Sequence, residues 1–138
     1  MSVVKITRKL LDDYQKLKAS IPVLEAELDE MQEGTNGFDH SVILNYRNGE
    51  AIPQAVIGFD WPLYRRRIAR LEKVKEQVKA VEDWIEAIED GQTRCVFRMY
   101  YINGMTWGSI AQKTGYSKSP DYPRLYIRDT YLKKVGIK

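Results

Sequence analysis

Apolar residues recur at alternating intervals of four and three along residues 5–32 of this 138-residue chain. This is the spacing of a heptad seam, which places the apolar side chains on one stripe of an α-helix. A second apolar stripe follows within residues 60–90. The stripe residues are Leu10, Tyr14, Leu17, Ile21, Leu24, Leu28 and Met31 in the first segment, and Tyr64, Ile68, Leu71, Val74, Val78, Val81, Ile85 and Ile88 in the second. Because both stripes must be buried, we expect an antiparallel hairpin of the two helices or pairing with a second copy of the chain.

Residues that cap or interrupt helices set the expected ends of these two segments. Pro22 removes one backbone hydrogen bond and predicts a kink or a short break just before it, with Ser20 as the N-cap of the second piece. Gly34 is expected to end the first helix. Asp60 is the expected N-cap of the second helix, and Pro62 lies in its first turn.

Residues 34–59 separate the two helices and show no helical period. Their glycines and their single proline predict an irregular connector. Two short strands, SVILNY and AVIGF, joined by an RNGE turn, are one alternative, and a disordered segment is another. The only histidine of the chain, His40, falls here and is expected to be a polar loop residue.

Charge is distributed unevenly along the chain. The formal net charge of +3 divides into +7 over residues 91–138 and −4 over residues 1–90. A basic C-terminal third on an acidic body is typical of a protein that binds a polyanion, with a solvated basic tail as the alternative. The triplet Arg65-Arg66-Arg67 at the start of the second helix is interpreted as a solvated face, and a phosphate-contacting patch is the other interpretation.

Composition argues against several function classes. No apolar run approaches the roughly 20 residues that span a membrane, and the N-terminus has no apolar signal segment. With one cysteine and one histidine, no disulfide, histidine-based triad or two-histidine metal site is expected. We therefore expect no enzyme activity, no metal and no cofactor, and a location in a reducing cytoplasm. Cys95 is expected to be a buried small side chain.

Three shorter helices are predicted in the C-terminal third, at residues 92–102, 107–114 and 122–134. Thr106 is expected to cap the second of them. Ala111 and Gly115 have the spacing of a helix-turn-helix. The small residue lets the next helix cross closely, and the glycine takes the left-handed conformation that starts the turn. The expected inward residues of the first two helices are Val96, Met99, Tyr100, Trp107, Ile110 and Ala111.

This segment is similar to region 4 of bacterial sigma factors, which reads promoter DNA. The shared pattern in GQTRCVFRMYYINGMTWGSIAQKTGYS consists of Tyr101, Ile102, Gly104, Thr106, Trp107, Ile110, Ala111, Gly115 and Ser117. A domain of this kind behind a long helical N-terminal part resembles the small phage and prophage regulators of the RinA and ArpU type. The motif covers residues 92–135, and the first ninety residues match in architecture alone. The resemblance implies an activator of late phage genes or a sigma-like partner of RNA polymerase.

The turn before the last helix departs from the sigma pattern, because it is about three residues longer within Lys118–Tyr122. Asp121 is expected to cap the last helix, and Pro123 falls in its first turn, where no backbone donor is needed. Two inward faces fit this helix, namely Ile127, Tyr131 and Leu132, or Leu125 with Leu132. The first leaves Tyr122 and Tyr126 outward, and the second turns Arg124 toward solvent.

The predicted DNA-contacting residues are polar and aromatic side chains of the last two helices and of the turn between them. They are Thr106, Ser109, Lys113, Lys118, Ser119, Tyr122, Arg124, Tyr126, Arg128 and Lys133. Arginine most often reads guanine through two hydrogen bonds, whereas lysine and tyrosine more often reach phosphate.

We expect an all-α protein in which a long antiparallel, coiled-coil-like helical hairpin over residues 1–90 precedes a C-terminal three-helix helix-turn-helix domain over residues 91–138. The expected function is sequence-specific binding of double-stranded DNA by a phage-encoded transcriptional regulator. The hairpin would form a homo-oligomer or contact RNA polymerase. One alternative is a small terminase subunit, which recognises DNA packaging sites and forms rings. Another is an interaction module that contacts RNA polymerase without binding DNA.

Overall fold

Helices account for all the regular structure in the parts of the chain that the computed structural model describes, residues 4–38 and 59–138, with side chains described for residues 4–32 and 59–138. The five α-helices are α1 (Arg8–Phe38), α2 (Trp61–Glu86), α3 (Gly91–Phe97), α4 (Trp107–Thr114) and α5 (Asp129–Lys134). Two π-helical segments adjoin them, π1 (Arg98–Ile102) after α3 and π2 (Pro123–Arg128) before α5. The all-α prediction is confirmed for these residues. The predictions for His40 and for the two short strands fall largely on residues 39–58, outside the described part.

The expected N-cap at Asp60 is confirmed, whereas a break at Pro22 and a helix end at Gly34 are wrong, and a kink at Pro22 stays a prediction. The Asp60 carboxylate accepts a hydrogen bond of 2.9 Å from the backbone N–H of Leu63, as an N-cap should. However, α1 is unbroken at Pro22 and continues past Gly34 to Phe38. The apolar seam keeps its register through the proline, and Leu24 beyond it is buried. Packing along the seam therefore outweighs the loss of one backbone hydrogen bond.

The chain divides into two compact units, but not at the predicted position between residues 90 and 91. The first unit combines Met1–Ala19 with Lys75–Lys138, and the second is Ser20–Val74. Each unit therefore contains a segment of α1 and a segment of α2. The C-terminal helices share their unit with the first turns of α1. These residues are far apart in sequence, and no local sequence pattern predicts that they pack together.

Three aromatic rings from three helices pack edge to face in the core of the first unit. The centroid of Trp84 on α2 lies 5.7 Å from that of Phe97 on α3, and Phe97 lies 5.4 Å from Tyr131 on α5. Trp84 and Tyr131 are 5.9 Å apart. Each such pair contributes about 0.5–1.5 kcal/mol beyond the area that it buries. Other buried side chains of the first unit include Leu10, Leu11, Tyr14, Val78, Val81, Ile85, Ile88 and Tyr101.

The side chain of Gln15 joins α1 to the end of π1 within the first unit. Its Nε2 atom donates to the carbonyl oxygens of Tyr101 at 2.7 Å and of Ile102 at 2.5 Å. The last carbonyl groups of a helix receive no hydrogen bond from within that helix, so they need a donor from elsewhere in the protein or from water. Gly104, at φ 68°, then reverses the chain next to the same amide group. One side chain of α1 thus completes the C-terminal end of π1.

The second unit has its own small apolar core and one ring cluster. Leu24 on α1 and both Leu71 and Val74 on α2 are buried. The amide Nε2 of Gln32 donates to the Tyr64 hydroxyl at 2.7 Å. The rings of Phe59, Trp61 and Tyr64 contact one another, with centroids 4.6–5.6 Å apart. Of the arginine triplet, Arg65 and Arg66 are exposed, and the Arg65 guanidinium lies 6.0 Å from the centre of the Trp61 ring.

Glu82 carries the polar contact between α1 and α2 in the first unit. Its Oε2 atom accepts hydrogen bonds from the Tyr14 hydroxyl and, at 3.0 Å, from the ammonium group of Lys18. The hydrogen bond from Tyr14 is the main cause that lowers the pKa of the Glu82 carboxyl below its ordinary value, and Lys18 adds to it. The ionised form is therefore favoured in the folded state relative to the unfolded chain.

Replacement Glu82→Gln tests this assignment through pH. Since the folded pKa of Glu82 is lowered, its stabilisation is present above pH 4.5, the ordinary value, and is lost as the pH falls through the folded pKa. The difference in the free energy of unfolding between the wild type and Glu82→Gln should therefore shrink as the pH drops below 4.5. Urea unfolding at several pH values measures it. Glu89→Gln, at an exposed site, is the control, and its difference from the wild type should not change with pH. If the difference for Glu82→Gln is also independent of pH, the assignment is wrong.

Replacement Gln15→Ala removes the donor that completes π1. The free energy of unfolding should fall by about 1–2 kcal/mol, the sum of two ordinary hydrogen bonds. The same replacement at the exposed Gln112 on α4 should change it little, since alanine and glutamine both favour helices. Chemical denaturation of both variants measures the difference, and equal stabilities would show that Gln15 has no such role.

Candidate nucleic-acid interface

The first turn of α4 exposes backbone donors. Thr106 is extended (φ −73°, ψ 157°), and its Oγ1 accepts a hydrogen bond of 3.2 Å from the Ser109 N–H, which confirms the predicted cap. The N–H groups of Trp107 and Gly108 precede that bond and have no acceptor within the helix. The space where a Cβ of Gly108 would lie is open. A helix end of this kind favours an anion such as phosphate.

The end of α4 has the geometry that its glycine predicts. Gly115 adopts φ 89°, and its N–H and that of Tyr116 both donate to the Ala111 carbonyl, the second at 2.7 Å. Ala111 is almost fully buried. A Cβ on Gly115 would meet no atom within 4 Å, so the glycine is required by its backbone angle and not by crowding.

The long turn between α4 and π2 is ordered by two consecutive tight turns and a ring stack. The Ser119 N–H donates to the Tyr116 carbonyl at 2.8 Å, and the Tyr122 N–H donates to the Ser119 carbonyl at 2.9 Å. The rings of Tyr116 and Tyr122 stack with centroids 4.2 Å apart. The Tyr116 hydroxyl also accepts a hydrogen bond of 2.8 Å from Gln92. The extra residues of this turn therefore hold a defined conformation.

The start of the last helix agrees with the sequence prediction for its proline but not for its aspartate. Pro123 lies in the first turn and is buried. Asp121 contributes its carbonyl oxygen, which accepts from the Leu125 N–H at 2.9 Å. Its carboxylate instead accepts a hydrogen bond of 3.2 Å from Nη2 of Arg124. The expectation that this carboxylate caps the helix is wrong, because it accepts from the Arg124 guanidinium and the start of π2 has no side-chain cap.

Exposure decides between the two predicted faces of the last helix. Ile127 and Leu132 are buried, whereas Leu125 is 40% exposed. The inward set with Ile127, Tyr131 and Leu132 is therefore correct, although Tyr131 is only half-buried, and the set with Leu125 is wrong. Tyr122 and Tyr126 face outward as that choice requires, and Tyr126 is the more exposed at 64%.

Arg128 is buried, although the sequence predicts that it contacts DNA. It is only 6% exposed, its Nε donates to the Asp129 carboxylate at 2.7 Å, and its Nη1 donates to the Tyr101 hydroxyl at 3.3 Å. The guanidinium carbon lies 5.0 Å from the centre of the Trp107 ring and 5.6 Å from that of Tyr100. Those two rings stack on each other with centroids 4.0 Å apart. A side chain held in this way is not available to contact a base.

The π-helical turn explains why Arg128 points inward. In an α-helix the residue four positions after Arg124 would lie on the same face. Here the N–H of Asp129 donates to the Arg124 carbonyl, so the turn contains one more residue. The wider turn therefore rotates Arg128 away from the position that an α-helical period gives it, and its side chain is buried. The Arg124 side chain stays 37% exposed.

The other predicted contact residues lie at the surface. Those that are exposed are Thr106, Ser109, Lys113, Lys118, Ser119, Tyr122, Tyr126 and Lys133. Below them, Val96, Ile110 and Ile127 form a small apolar cluster that joins α3, α4 and π2. The expected inward residues Met99, Tyr100 and Trp107 pack against it while remaining partly exposed. Cys95 is also only partly buried, so its expected full burial is wrong.

Two residues at this surface were missed by sequence analysis. Tyr116 begins the ring stack in the turn, and its only local signal was its position after Gly115. Arg8, at the start of α1, lies 3.9 Å from the Asp129 carboxylate on α5. No sequence pattern could have placed Arg8 here, since the pair spans almost the whole chain.

The chain shows no match to protein-family models, to curated proteins or to solved structures. No helix in residues 4–38 or 59–138 combines the length and the apolar character needed to cross a membrane. The same residues hold no cluster of three or more histidine, cysteine or acidic side chains that could bind a metal ion.

Replacement Arg128→Ala should destabilise the protein strongly. It leaves the Asp129 carboxylate and the Tyr101 hydroxyl without their donor and removes the group that packs on the two stacked rings. The expected loss in the free energy of unfolding is about 3 kcal/mol, as for other disrupted buried ion pairs. Arg124→Ala, which breaks an exposed pair with Asp121, should cost less than about 1 kcal/mol. Urea denaturation compares them, and similar losses would contradict the assigned role of Arg128.

Proposed function

We propose that this protein is a sequence-specific, double-stranded DNA-binding transcriptional regulator encoded by a phage or prophage. In this proposal residues 91–138 form a three-helix helix-turn-helix domain in which α4 crosses the DNA backbone. The helix made of π2 and α5, here called the recognition helix, enters the major groove. The resemblance to sigma region 4 and to the RinA and ArpU type of regulator supports the same assignment.

The observation that carries the proposal is the geometry of the turn and of the helix ends around it. A capped helix with an open N-terminus, a left-handed Gly115 and a helix that restarts at the buried Pro123 present side chains of both helices to solvent together. The exposed set includes Lys113, Lys118 and Tyr126, in the part of the chain that carries a formal charge of +7. Phosphate contacts of this kind supply most non-specific DNA affinity.

For the rest of the chain, we propose that α1 and α2 form an antiparallel hairpin. In the first unit the Tyr14 hydroxyl contacts Glu82, and in the second the Gln32 amide contacts Tyr64, as two helices of opposite direction require. Such a hairpin provides a surface for dimerisation or for contact with RNA polymerase.

Light scattering tests the packaging alternative, because a ring of eight or more copies would favour a small terminase over a regulator.

Two substitutions in the proposed interface should have different effects on specificity. Arg124→Ala removes a candidate base contact and should weaken binding to a selected site by about 1–3 kcal/mol while leaving random duplex less affected. Lys113→Ala removes a phosphate contact and should weaken both equally. A binding site is first selected from a random duplex library, and fluorescence anisotropy then gives both affinities.

The matched control for Lys113→Ala is Lys79→Ala, an exposed lysine on α2 that pairs with Asp83 outside the proposed interface. It should leave DNA affinity unchanged. The proposal fails if the wild-type protein binds no duplex at low salt, or if its affinity does not fall as salt rises. Selection of no preferred sequence would leave DNA binding in place but remove sequence specificity from the proposal.

A further inference from the structure

An open cavity of about 490 Å³ lies in the first unit where the start of α1 meets the helix-turn-helix segment. Arg8 and Gln15 of α1 line it. Trp107 at the start of α4 and Arg124 of the last helix line it as well. Residues separated by more than 90 positions in sequence thus share one concave surface, beside the open N-terminal turn of α4.

The wall of the cavity is rich in guanidinium groups. Arg8, Arg124 and Arg128 line it, and the one carboxylate among its lining residues is Asp12. Arg128 is committed to internal partners, as described above. Arg8 differs, because its guanidinium is 3.9 Å from Asp129 and its side chain is 40% exposed. Arg124 likewise has a single exposed partner, Asp121, at 3.2 Å. Exposed pairs of this kind are weak, so Arg8 can exchange its carboxylate partner for a phosphate at little cost.

The position of the cavity favours the DNA backbone as its occupant. In a helix-turn-helix complex the N-terminus of the first of the two helices is directed at a phosphate. Here Trp107, the first residue of α4, lines the cavity, and its N–H has no acceptor within the helix. A phosphate that meets this helix end is therefore close to the cavity that Arg8 also lines.

We propose that this cavity binds a backbone phosphate of the DNA duplex and that Arg8 of α1 is one of its ligands. The inference rests on the proposed function and extends the interface beyond residues 91–138 to the first turn of α1. Arg8 holds the phosphate together with the backbone donors at the start of α4, while Arg124, at the same cavity, remains the candidate base contact. Asp12, on the same wall, opposes the phosphate and limits the affinity.

Neighbouring residues of like charge provide matched controls. Lys9 follows Arg8, is 86% exposed and pairs with Asp13, and neither lines the cavity. Arg8→Gln and Lys9→Gln therefore remove the same charge at adjacent positions of α1. Asp12→Asn and Asp13→Asn form a second pair with the opposite change of charge. Any effect of net charge alone must be equal within each pair.

The experiment measures the affinity of the full-length protein for a labelled duplex by anisotropy between about 50 and 200 mM salt. Arg8→Gln should lower the magnitude of the slope of log K against log salt by about 0.9, the value for one lost phosphate contact. Lys9→Gln should leave the slope unchanged. Asp12→Asn should tighten binding about two- to fivefold, corresponding to one exposed charge interaction, and Asp13→Asn should not.

Three other outcomes are informative in different ways. If the wild type binds duplex and Arg8→Gln matches Lys9→Gln, the phosphate site is wrong and the proposed function stands. If the wild type binds no duplex, the proposed function fails and this contact fails with it. If Arg8→Gln unfolds, as far-ultraviolet circular dichroism would reveal, the aspartate pair decides, and equal affinities of Asp12→Asn and Asp13→Asn overturn the site.

Discussion

A guanidinium that is removed from water must keep its charge compensated, and Arg128 imposes this requirement on the C-terminal helices. Its ion pair with Asp129, its hydrogen bond to the Tyr101 hydroxyl and its contact with two stacked rings all depend on where the last helix lies. A shift of that helix would leave a buried charge without partners, which is far more costly than the loss of an apolar contact. Arg128 thus fixes the orientation of the helix whose outer face we propose to read DNA.

The outer face of that helix is unusual in its chemistry. Tyr122, Tyr126 and Leu125 are exposed beside a single partly exposed arginine, Arg124. Apolar groups contact the thymine methyl in the major groove, whereas arginine reads guanine. In the proposed complex, a face with more rings than guanidinium groups would therefore favour a DNA site that contains thymine as well as guanine. The lysines at its margins are suited to phosphate.

Local sequence signals were sufficient wherever one residue and its near neighbours decide the conformation. The caps at Asp60 and Thr106, the left-handed Gly115 and the first-turn Pro123 all belong to this class. The signals failed at Arg128, because a 3.6-residue period assigns a wrong face after a turn that contains an extra residue. For Asp121, two partners competed, and sequence alone does not rank a guanidinium against a backbone N–H.

Contacts between distant segments had no sequence signal at all. The amide of Gln15 on the carbonyl groups of π1 and the approach of Arg8 to Asp129 join the two ends of the chain. In the sequence, Gln15 and Arg8 each resemble a polar residue on the solvated face of an amphipathic helix. Their hydrogen-bond and ion-pair partners become apparent only in the folded unit. The first unit likewise combines Met1–Ala19 with Lys75–Lys138, although elements near in sequence more often pack together.

The interrupted order of the first unit has a consequence for how the protein is made. Its two parts, Met1–Ala19 and Lys75–Lys138, are separated in sequence by the whole of the second unit. During synthesis the N-terminal segment therefore leaves the ribosome well before the helices against which it packs. Domains generally fold as units while the chain grows, but this one can be completed only after Lys75–Lys138 has been synthesised. Such long-range closure slows folding, so the part of α1 within Met1–Ala19 must remain without its final partners while the whole second unit is being made.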